Sequence, residues 1–172
     1  MVQKSNRVRW SKKISLYAVL SVFLLFPIPV FGYSIIANSE SGMTVNPFSS
    51  TISSPGGFSI THFNDPSGST TASVTFDITG TSSETASIYV DLSSFSTTPG
   101  TGASVVEAGT GSGTPTDHTF TADSGGNFDD GSVLVFTTGA LSSTATVVTL
   151  SFTYNQALTQ NSTTTTTNIA FR

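Results

Sequence analysis

Residues 73–92, SVTFDITGTSSETASIYVDL, decide the fold class. Val74, Phe76 and Ile78 alternate with Ser73, Thr75, Asp77 and Thr79; further on, Ile88, Val90 and Leu92 alternate with Ser87, Tyr89 and Asp91. Successive side chains of a strand point to opposite faces, so each half reads as a strand with one apolar and one polar face. Gly80-Thr81-Ser82-Ser83-Glu84 carries turn chemistry between them, and the two are expected to pair as an antiparallel hairpin.

The same alternation spreads outward. Upstream, residues 58–62 (FSITH) follow the breaker Ser53-Ser54-Pro55-Gly56-Gly57, and Asn64-Asp65-Pro66-Ser67-Gly68 turns the chain again. Downstream, residues 119–122, 133–136 and 146–154 read as strands, the last with Val148, Leu150, Phe152 and Tyr154 on one face, and residues 169–171 form a final short one. Residues 97–113, rich in Thr, Pro and Gly, read as a long loop or a weak edge strand. About seven to nine short strands with turn signals between them and no helical period point to an all-β chain. The expected architecture is an immunoglobulin-like antiparallel β-sandwich, with a closed barrel as the alternative. No unit of about 20 to 50 residues recurs, which excludes a repeat array.

The N-terminal segment has a different character. Lys4, Arg7, Arg9, Lys12 and Lys13 precede an apolar run over residues 14–26, then Pro27, Pro29 and Val30-Phe31-Gly32. A basic start, an apolar stretch and a small residue at the junction form a secretory signal peptide, expected over residues 1–32 with cleavage after Gly32. The prolines stop an apolar helix short of the roughly 20 residues needed to span a bilayer. Two other readings stay open: an uncleaved anchor running on through Ile35 and Ile36, and a type IV pilin cut after Lys13. Behind the signal, residues 33–48 (YSIIANSESGMTVNPF) read as the first strand or as a detachable N-terminal arm, and residues 49–172 as the sandwich.

Charge and composition narrow the function. All the cations except Arg172 precede residue 14 and all ten acids follow residue 32, so the exported chain carries ten acids against one arginine and no lysine. Such a polyanion repels phosphate backbones and anionic lipid, which argues against nucleic-acid or membrane-surface partners after cleavage. Ser and Thr make up roughly two in five of its residues and supply solubility in place of charge. A fold resting on hydroxyl and backbone hydrogen bonds also loses little in acid, because few ion pairs titrate. The chain has no cysteine, so disulfides, thiolate metal sites and cysteine nucleophiles are excluded. Once the leader is removed no lysine remains, so isopeptide crosslinks are excluded as well.

Chemistry-bearing clusters are sparse. Asp123, Asn127, Asp129 and Asp130 place oxygens at near-alternate positions in a loop that could wrap calcium, which takes six to eight hard oxygen ligands. The plainer reading is a hairpin turn, since Asp130-Gly131 is a favoured turn pair. His62 and His118 are isolated, and the chain has no Gly-x-Ser-x-Gly elbow to make Asp117-His118 part of a hydrolase triad. No enzymatic activity is expected. Asn161-Ser162-Thr163 is an N-glycosylation sequon beside a threonine run.

The layout, with a leader to Gly32, an arm over residues 33–48 and a sandwich over residues 58–171, resembles donor-strand-complemented filament subunits such as archaeal threads and bundling pili. That resemblance implies an extracellular or cell-surface structural protein, a homopolymer in which Ile35, Ile36, Met43 and Val45 of one copy insert into the next. Residues 169–171, released by the threonine linker, are the alternative donor. A second reading is a surface adhesin or carbohydrate-binding sandwich; the one tryptophan, Trp10, lies in the leader, which leaves Tyr89 as an outward aromatic. N-terminal sequencing of the exported protein is expected to begin Tyr-Ser-Ile-Ile, whereas a start at Ile14 would make it a helix-anchored pilin.

Overall fold

The computed structural model describes residues 32–63, 70–81, 83–160 and 167–172. The expected signal up to Phe31 and the sequon at Asn161 lie outside the described residues. Gly32–Arg172 forms one compact unit.

The unit is all-β, and every strand pairing is antiparallel. Sheet 1 runs β10 (His118–Thr121), β8 (Ser104–Gly111), β12 (Thr146–Tyr154), β5 (Thr70–Thr79), β1 (Ser34–Ser41) and β3 (Thr51–Ser53). Sheet 2 runs β2 (Met43–Asn46), β4 (Gly56–Phe63), β14 (Ile169–Phe171), β6 (Ser87–Val90), β11 (Val133–Thr138) and β9 (Gly113–Pro115). A small ladder joins β7 (Phe95–Ser96) to β13 (Thr159–Gln160). The sandwich expected from the alternation is what forms, with more strands than the sequence marks, because the two- and three-residue strands are too short to show a period.

The two sheets meet through their apolar rows. Phe76 on β5 lies 5.1 Å from Phe58 on β4 and 5.1 Å from Phe171 on β14, centroid to centroid. Phe63 on β4 meets Phe152 and Tyr154 on β12 edge-on. Such tilted and edge-on contacts place the positive ring edge against a negative face, adding to the area buried.

Two features differ from the sequence reading. Residues 73–92 do not form a hairpin: β5 pairs with β1 and β12 in sheet 1, while β6 pairs with β14 and β11 in sheet 2. The link crosses between the sheets, held by Gly80 N–H donating to Ser142 O and by a mutual tie between residues 86 and 138. Alternation reports which face of a strand is buried, and a crossing that turns both apolar rows inward satisfies it as well as a hairpin does. Residues 97–113, read as a loop or edge, contain β8, an interior strand between β10 and β12. Its inward row is Val105, Glu107 and Gly109. A Cβ on Gly109 would stand 2.7 Å from the Phe136 ring, so glycine is what lets sheet 2 approach, and the apolar signal is lost from the sequence.

The Phe76 contacts set the scale of the core. Phe76→Ala should cost about 3–5 kcal/mol in denaturant unfolding, whereas Val147→Ser, at an outward position of β12 that is 51% exposed, should stay within about 0.5 kcal/mol.

Candidate functional site

The N-terminal residues singled out above form two strands of the sandwich. Ile35 and Ala37 on β1 point into the core and are fully buried, as are Met43 and Val45 on β2 to within a few per cent. Ile36 faces outward, opposite Asp77 of β5 and Thr51 of β3. It lines a surface groove of about 230 Å³ with Ser34, Thr79 and Ala145. A bulge between Ala37 and Ser39 resets the register of β1 against β5, so Glu40 comes opposite the inward Val74. The chain then crosses to sheet 2 at Gly42, where φ is +67° and a Cβ would stand 2.7 Å from Thr71 O. Only glycine takes that turn cheaply. Glu40 Oε2 accepts the Val45 N–H at 2.7 Å, which ties β1 and β2 into one hook. Beyond β2 the chain at residues 48–50 is exposed, and the Ser49 N–H donates to Ala37 O at 3.0 Å.

The other candidate terminus is no looser. β14 sits between β4 and β6. Buried Asn168, just before it, accepts the Ile60 N–H at 3.0 Å through Oδ1 and donates through Nδ2 to Asp91 O and Ser94 Oγ. The Arg172 guanidinium lies 4.5 Å above the Tyr89 ring, which covers one face of the aromatic that a sugar would need for stacking.

The acidic loop divides its residues among different partners. Asp123 Oδ1 accepts the Asn127 N–H at 2.8 Å. This and further backbone donors hold its carboxyl below the usual range, with the bond from Asn127 foremost. Asp130 faces His118 instead, with Oδ1 3.4 Å from Nε2. Among the described residues no group of three or more Asp, Glu, His or Cys side chains is placed to hold a metal ion. His118 also meets the Phe120 ring edge-on at 4.7 Å.

Sequence reasoning passed over Glu107. It is the one fully buried acid among the described residues, and neither carboxylate oxygen has a hydrogen-bond partner. Its cross-strand neighbours are His118 on β10 and Phe152 on β12. Burial, reinforced by the negative charge of Asp117, pushes its carboxyl up to about 8. A carboxyl in that setting is kept protonated, because ionising it without a partner in a dry interior is far costlier than leaving the proton on. Enclosed on all sides, it stores a proton and does not reach a substrate. Its only sequence signal is an acid at an inward position of β8, a strand the sequence does not reveal.

No protein family, curated protein or solved structure matches this chain.

Glu107 gives stability a direction with pH. Between its ordinary value of 4.5 and about 8 the folded chain keeps a proton that the unfolded chain has lost, so stability falls as pH rises across that window. It is complete below 4.5, until Asp123, whose carboxyl is depressed, opposes it near and below 3.8. The melting temperature is therefore expected to be highest near pH 4 to 4.5 and to drop towards pH 8, and Glu107→Gln should flatten that slope. An unchanged slope in E107Q would mean that other groups carry it.

Proposed function

We propose that this chain is a secreted structural protein, a subunit of an extracellular filament or surface layer in which copies exchange the arm over residues 33–48. The observation that carries the reading is the position of β1. The first strand of the compact unit lies inside sheet 1, with only the three-residue β3 beyond it, and it supplies Ile35 and Ala37 to the core.

Withdrawing β1 would leave the edge of β5 that faces it unpaired from Ser73 to Thr79, with β12 still paired on the other side, and open the core above Phe76 and Ile78. An unpaired edge over an apolar slot is a strong acceptor for another strand. The segment that fits it best is the same strand of another copy. The Glu40–Val45 bond and the tight Gly42 crossing favour β1 and β2 moving together, with the swing placed at exposed residues 48–50. Exchange of an identical element links subunits through the contacts that close a monomer. It needs neither disulfides nor lysine crosslinks, and residues 33–172 hold no cysteine or lysine to make them. The calcium reading of the Asp123 loop gains nothing from its hydrogen bonds, and assembly by arm exchange needs no cofactor.

Introduced cysteines test this, because the chain has none of its own. In Ile36→Cys with Asp77→Cys the two residues face each other across β1 and β5. Oxidation of the exported protein is expected to give a ladder of disulfide-linked oligomers on denaturing gels. Deleting residues 33–48 should abolish both the ladder and filaments seen by negative-stain microscopy. Only disulfide-closed monomer, at every protein concentration, would show that each chain keeps its own arm.

A further inference from the structure

The outward face of sheet 1 is almost free of charge in a chain that is otherwise strongly anionic. The registers set its outward residues in rows. Thr110, Thr149, Thr75 and Ser39 stand side by side on β8, β12, β5 and β1, and Ser151, Ser73 and Ser41 form the next row. Within the first row, Thr75 Oγ1 and Thr149 Oγ1 are 2.9 Å apart and hydrogen-bonded. Val106 and Val147, at 43% and 51% exposure two of the three exposed large apolar side chains among the described residues, lie on the same face. Among the described residues Asp77 is the only acid there. Sheet 2 presents Tyr89 outward and has its charges at strand ends, with Asp91 just past β6 and Arg172 just past β14.

We infer that this hydroxyl face is a docking surface for a second copy of the chain, packed face to face. The first argument is charge. Two polyanions approach at least cost through the faces that carry almost none of their acids. The second is self-complementarity. A carboxylate only accepts hydrogen bonds, whereas every Ser and Thr hydroxyl both donates and accepts, so a hydroxyl grid can satisfy a copy of itself. The third is size. With strands about 4.8 Å apart and same-face residues about 6.8 Å apart along each, four strands by four rows cover about 500 Å². Two such faces bury about 1,000 Å², the lower bound of a specific interface. Contact of this size is weak for one pair and becomes strong when many subunits in a row make it together.

This docking does not rest on arm exchange, and the two are separable. Sedimentation of the exported protein is expected to show self-association that strengthens as salt screens the net charge. Thr110→Asp and Thr153→Asp, both at exposed positions of the face, should each weaken it at least about tenfold, which is about 1.4 kcal/mol. Thr114→Asp, exposed on β9 at the edge of the other sheet, should leave it unchanged, and thermal melts identify any variant that fails to fold. Oligomers that persist in folded T110D and T153D but vanish when residues 33–48 are deleted would assign all association to the arm and overturn this inference. A wild-type protein that stays monomeric at high salt would overturn it too. Loss of association in T110D together with a monomer-only pattern from the cysteine pair would keep the docking face and reject arm exchange.

Discussion

The Phe76 ring, held between Phe58 and Phe171 at 5.1 Å from each, is the contact on which the rest of the unit depends. Residues 32–172 have no cysteine and one arginine to set against ten acids, so neither disulfides nor a network of ion pairs can hold the layers together. What remains is apolar burial between the sheets and backbone ladders within them. Phe76 joins its own strand, β5, to the preceding β4 and to the distant β14, so early and late parts of the unit become one core. The hydroxyl residues outside the core add solubility and ladder-compatible shape but little cohesion.

The strands that were legible in the sequence are those whose inward row is wholly apolar. β5 with Val74, Phe76 and Ile78, and β12 with Val148, Leu150, Phe152 and Tyr154, declare themselves because each inward position gains by leaving water. β8 does not, since its inward positions are shared among a valine, a protonated acid and a glycine that yields to Phe136. Pairing was less legible than strand position. The period of two that marks residues 73–92 records burial and carries no information on which strand lies alongside, so β5 and β6 could be recognised singly yet assigned to the wrong sheet. Register, and with it the hydroxyl rows of sheet 1, emerges only when β12 and β8 come in from distant parts of the chain.

The candidate site shows the same division. The apolar character of Ile35, Met43 and Val45 was plain from the sequence; that they line the core from an interior strand of sheet 1 and an edge strand of sheet 2 was not, because the glycine crossing at Gly42 has no period to announce it. Glu107 lies at the opposite extreme. A carboxyl is expected at the surface, and only the enclosure built by β10, β12 and the facing sheet turns it into a neutral, proton-holding group. A core acid of this kind is tolerable where its proton is easily kept, in a fold held chiefly by apolar burial and backbone hydrogen bonds.

The place of β14 has a consequence in time. Proteins are made from the N-terminus onward, and the centre of sheet 2 is filled by Ile169–Phe171. Until that segment has emerged, β4 and β6 have no common neighbour, Phe76 lacks one of its two ring partners, and Asn168 cannot bind Ile60, Asp91 and Ser94. Sheet 2 therefore cannot close across its centre until the strands before β14 have been made. The threonine-rich composition suits that interval as much as the finished state, since it keeps the waiting strands wet.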